Sequence, residues 1–240
     1  MSNLLREFIK FSKHQIMFAL DSTIDILKNL LILRDTDSLI KDRFAPVISY
    51  IIEMLPQDRV SDRYNVIGVV FKDLVDTYPE EAHFKAHLSR YYTHIERNYQ
   101  RGIEEAKEAI ELAESQGIYD PLLYHIAGIR IRRYVEKRLY QQVIDSSAFD
   151  ESEEANKIIV EIKRMLTEAS NYFEKVRGIN NKVAGYISDV EMCIELIDFE
   201  KKYIGCSTEQ LLQEYKDSWF IEYYDRALTL LEGFRSLQVE

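Results

Sequence analysis

Glycine and proline are scarce, at eight and four in 240 residues. Long sheets joined by many tight turns use more of both, so the shortage argues against a β-rich fold. Cysteine is nearly missing as well. Cys193 and Cys206 form no framework of pairs, and two free thiols in a reducing compartment are expected. No apolar run approaches the roughly eighteen residues of a membrane span. The run at 16–20, behind Lys10 and Lys13, is too short for a signal core and has no small-residue cleavage site. A cytoplasmic chain with no membrane partner is expected. Positive charge is in deficit: 31 Lys and Arg against 41 Asp and Glu give a formal charge of −10. Nucleic acid is therefore an unfavoured partner, since neutralising phosphates needs a basic face.

Catalytic signatures are lacking too. There is no GxxxxGK[ST] to cradle phosphates, no HExxH, and no nucleophile elbow. Carboxylate pairs such as Glu104/Glu105 and Glu153/Glu154 lie in charge-rich wet segments, whereas acid–base chemistry needs an enclosed pair. A non-enzymatic protein with no cofactor and no bound metal is expected.

Helical periodicity is what the chain has in abundance. In NYQRGIEEAKEAIELAE (98–114), Tyr99, Ile103, Ala106, Ile110 and Ala113 recur at steps of four, three, four and three, one apolar stripe of an α-helix. Gly102, Ala106, Ala109 and Ala113 form a row of small residues beside it, over which another helix can approach closely. The same spacing predicts helices over 4–33, 44–55 and 60–77, then one of about twenty residues opened by Pro79 in its first turn. Asp120-Pro121 marks a further start, a capping carboxylate before Pro at the first helical position. That helix runs past Tyr140. The acidic segment DSSAFDESEE (145–154) reads as a loop, with Asp150 or Glu153 capping a helix that ends at Gly178. Residues 181–203 follow, stopped at Gly205, and Ser207 with Gln210 has capping-box spacing for a last helical segment ending near Phe234. The fold class is all-α, with three regions: an N-terminal helical segment at 1–43, repeats at 44–205, and C-terminal capping helices at 206–240.

Tetratricopeptide-type hairpins pair a helix bearing a small residue and an aromatic with a second helix bearing small, aromatic and small residues. Leu88, Ser89 and Tyr92 suit a first helix, and Gly102, Ala106 and Ala109 its partner. Ala127, Gly128 and Ile131 suit the next first helix, with Ala169, Phe173 and Val176 on its partner. Ala184, Gly185 and Ser188 begin a third. Antiparallel hairpins stacked as a degenerate tetratricopeptide-like α-solenoid are expected. FAPVI (44–48), YPEEAHFKAHLSRYY (78–92), the stretch at 98–114, and AGYISD (184–189) through IDF (197–199) together resemble the helical-repeat region of STAND-class P-loop NTPases. The resemblance spans about two thirds of the chain. It implies a sensor or regulatory arm, in bacteria often one of anti-phage defence, and it comes without the NTPase module.

Three groups remain to be placed. His83 and His87, one turn apart, could both ligate a metal, but their motif is HFKAH, and histidines on a packing or binding face are the simpler expectation. Arg130, Arg133 and Lys137 share a helical face, with Arg132 opposite, Arg138 nearby, and Tyr134 and Tyr140 interleaved. A nucleic-acid-binding face at 130–138 is the alternative function. The simpler reading pairs these cations with the acidic segment or with carboxylates of 98–114. Sixteen tyrosines and Trp219 exceed what a core needs and favour protein contacts. The sequence therefore predicts a protein-recognition or scaffold module. It would bind another protein or peptide through Arg90, Tyr91, His94, Arg130, Arg133 and Lys137, and could self-associate or attach to an NTPase module.

Overall fold

The computed structural model describes residues 45, 49, 61–148, 152–179, 182–214 and 219–237. Among them there is no strand. Ala45 and Ser49 are helical and buried. The rest of the expected helices at 4–33 and 44–55, and the segment 1–43 as a unit, lie outside the described residues.

Helix α1 (Ser61–Thr77) matches the expectation to within a residue. Helix α2 (Ala82–His94) does not begin at Pro79. Pro79 occupies the second position of a turn closed by Glu81 N–H donating to the Tyr78 carbonyl at 3.1 Å, where its fixed φ is equally at home. Helix α2 is consequently short, and ten of its thirteen residues are buried. Helix α3 (Tyr99–Ser115) follows Arg97 in the left-handed region at φ 55° and is capped by Asn98, whose Oδ1 accepts from Arg101 N–H. It closes in a Schellman pattern. Gly117 at φ 74° lets its own N–H reach Glu114 and that of Ile118 reach Ala113.

Helix α4 (Pro121–Tyr134) starts as expected, with Asp120 Oδ1 accepting from Leu122 N–H at 2.8 Å. It runs without interruption through a π turn (Val135–Leu139) into α5 (Tyr140–Ala148). A buried series explains the π turn: Leu123, Ala127, Ile131, Val135, Leu139 and Val143 recur at strict steps of four. At 3.6 residues per turn each such step overshoots by about 40°, and the series would spiral out of the core. One wider turn takes back about 100° of the roughly 200° that five steps accumulate.

The acidic segment 145–154 is mostly not a loop. Helix α5 continues to Ala148 and α6 (Ser152–Gly178) begins at Ser152, with Glu153 and Glu154 in its first turn rather than at its cap. Acidic side chains near a helix N-terminus complement its dipole, so polarity there marked a helix start. Helix α7 (Lys182–Ile204) ends at Gly205, φ 75°. Helix α8 (Thr208–Glu214) opens on the expected capping box. Gln210 N–H donates to Ser207 Oγ at 3.2 Å, and Gln210 Oε1 accepts from Ser207 N–H at 2.8 Å. Helix α9 (Trp219–Leu237) completes the described chain.

Neighbours in sequence are neighbours in space. Helices α1/α2, α2/α3, α3/α4, α4/α6, α6/α7 and α7/α9 pack in turn, and α2 and α7 also touch α4. Two pairs of contacts fix directions. Lys107–Glu168 and Glu114–Lys175 join α3 to α6 at one constant sequence offset of 61. His125–Ser188 and Arg132–Glu195 join α4 to α7 at an offset of 63. A constant offset over two turns means parallel helices, so α3 runs with α6, and α4 with α7. The largest core lies among α4 to α7 and α9, around Ile131, Val143, Ile162, Leu166, Phe173 and Leu196. Each such side chain contributes about 1.5–3 kcal/mol by leaving water. Close approach is achieved through small residues. A Cβ on Gly128 would sit 2.5 Å from Cε1 of Phe173. The row Gly102, Ala106, Ala109 and Ala113 is fully buried, as its spacing predicted.

Candidate functional site

Helices α4 and α7 lie side by side and present a shared outer face. On α7, Met192, Leu196 and Phe199 turn into the core. About half a turn away, Val183, Ile187 and Ile194 remain 46–50% exposed, with Val190 and Ile197 half-buried. The steps are four, three, four and three, a second apolar stripe that nothing described covers. On α4 the corresponding positions are Leu122, exposed, and His125, Ile129 and Arg133, half-buried.

Polar contacts seam the two helices beneath this face. The Arg132 guanidinium, with its side chain only 9% exposed, donates through Nε and Nη2 to Glu195 and through Nη1 to Glu191, at 2.5–2.7 Å. Burial alone would lower the guanidinium pKa, but the two carboxylates outweigh it and raise the pKa. His125 Nε2 lies 2.8 Å from Ser188 Oγ, and burial, aided by Arg130 and Arg132, holds the imidazole below its usual value, so it is neutral near pH 7. Around the apolar stripe the charges are mixed: Glu191 and Asp198 are exposed and Glu195 and Glu136 partly so, while Arg133 and Lys137 of α4 are 39% and 52% exposed. Lys201, 3.9 Å from Asp198, stands at the C-terminal end.

The six residues expected to bind a partner do not form one surface. Tyr91 is 7% exposed, with its ring packed against Gly68 of α1, and Arg130 is 4% exposed. Arg90 is half-buried on α2 and His94 is exposed at that helix's last position. Arg133 and Lys137 remain on the surface, both held by Glu136 at 2.6 Å. Arg132, Arg133 and Lys137 thus pair with Glu136, Glu191 and Glu195, and Arg138 lies over the ring of Tyr99 in α3. Of the tyrosines with described side chains, only Tyr119 and Tyr203 are exposed. Most of the others serve helix packing.

The paired histidines have separate employments. His83 Nε2 sits 3.0 Å from Asp120 Oδ2, while His87 stacks on Phe71 with centroids 5.7 Å apart. The His83 contact, with the capping bond, holds the Asp120 carboxyl below the usual aspartate value. Among the described residues no three His, Cys, Asp or Glu converge as metal ligands, and no helix is long and apolar enough to cross a membrane.

Two features carry no local signature in the sequence. A cleft of about 430 Å³ between α1, α2 and α3 is floored by Tyr92, with Lys72 and Arg101 over its ring. Lys85 on its wall bonds Glu108 and, with Arg101, faces Glu105, so the cleft's charges balance internally. Deeper, Asp189 of α7 is fully buried. It accepts from Ser170 and Arg177 of α6 and from two nitrogens of Arg226 of α9, at 2.7–3.2 Å. Burial, then the Asp189 charge, push the neighbouring Cys193 thiol up to about 12, so it is an inert core thiol. Both cysteines are free. No family model, no curated protein and no solved structure matches the chain.

Proposed function

We propose that this chain is a non-enzymatic protein-recognition module, a degenerate tetratricopeptide-like stack of helical hairpins. The observation that carries the reading is the pair of constant registers. With α3 parallel to α6 and α4 parallel to α7, each hairpin repeats the direction of the one before, the relation that stacking requires. In such a stack α2, α4 and α7 are the first helices of successive hairpins and line one broad face. The wide exposed stripe on α7 suits contact with another protein, since an uncovered apolar patch framed by polar groups is where partners meet. The motif resemblance to STAND-class NTPases supports a more specific role. The array would be a sensor or regulatory arm whose occupancy is passed to an NTPase module, in anti-phage defence among other settings.

Affinity capture from nuclease-treated native extract, followed by mass spectrometry, tests this reading. Wild-type chain is compared with an Arg133→Glu, Lys137→Glu variant whose helicity is unchanged. A partner protein retained by the first and depleted by the second is expected. Recovery of nucleic acid alone, or of nothing above a scrambled control, overturns it.

A further inference from the structure

We draw no further inference here: the strongest candidate, the apolar stripe of Val183, Ile187, Val190 and Ile194 along the outer face of α7, is bordered by charges of both signs that pair with one another, and nothing in the structure shows what covers it.

Discussion

Arg132 of α4 and Glu195 of α7 meet through two parallel hydrogen bonds, 2.7 Å from Nε and 2.5 Å from Nη2. The bidentate geometry fixes distance and tilt at once, which a lysine could not do. The pair is asymmetric. The guanidinium is buried, whereas Glu195 and Glu191 both keep contact with water. Glu191→Ala with Glu195→Ala strands a buried charge and should cost about 3–5 kcal/mol. Arg132→Met leaves only solvated carboxylates behind and should cost under about 2 kcal/mol. Urea denaturation of the two variants checks the order, and reversed losses would contradict it.

The knot at Asp189 joins three helices through one carboxylate. Asp189→Asn removes the charge that both Arg177 and Arg226 face, and a loss of about 3 kcal/mol or more is expected. Because Arg226 belongs to α9, that helix should come away first. Hydrogen exchange in 219–237 should accelerate well before exchange in α6. Uniform acceleration across the chain would show that the knot does not govern the docking of α9.

Gly128 and Phe173 form a fitted pair. Gly128→Ala drives a methyl into a ring with no room to move, at about 1–3 kcal/mol. Phe173→Leu vacates that space at its own cost. The double variant should be more stable than the sum of the two losses predicts, by about 1 kcal/mol in a thermal double-mutant cycle.

Acid should weaken the molecule in two stages. The folded state holds His125 below its ordinary 6.5 and Asp120 below its ordinary 3.8. In each case the unfolded chain binds the proton more tightly, so stability rises with pH. The His125 contribution is complete above 6.5 and declines as pH falls toward its lower folded value. The Asp120 contribution is complete above 3.8 and is lost below that. Chemical denaturation from pH 8 to 2 should show both declines, and His125→Gln should remove the upper one alone.

Much of this architecture could be read from residue spacing. The Asp120-Pro121 start, the Ser207 capping box and the small-residue row in α3 are local patterns whose causes lie within a turn or two of chain. Misreadings arose where one composition serves two states. Pro79 suits a turn as well as a helix start, and the acids at 145–154 suit a helix end and a helix beginning as well as a loop. Helix α7 was harder for a different reason. It is apolar on several sides, and periodicity cannot tell which side finds a neighbour, so the uncovered stripe became visible only with α6 and α9 in place. Tyr91 and Arg130 show the same limit, since aromatic and cationic side chains serve interiors and surfaces alike.

The π turn carries a consequence for the history and the engineering of the chain. A turn with one surplus residue is how a helix accommodates a single-codon insertion. Deleting one residue from 135–139 would restore ordinary winding, and local propensity would score the product as an improvement. Because the wide turn absorbs the surplus residue, the shortened helix would still deliver Tyr140 to its stack on Phe199 and Val143 to the core. Deleting a residue from the regular winding of α4 instead would swing everything downstream by about 100° and carry both away. The surplus is expendable at this turn in a way it is not along the rest of the helix.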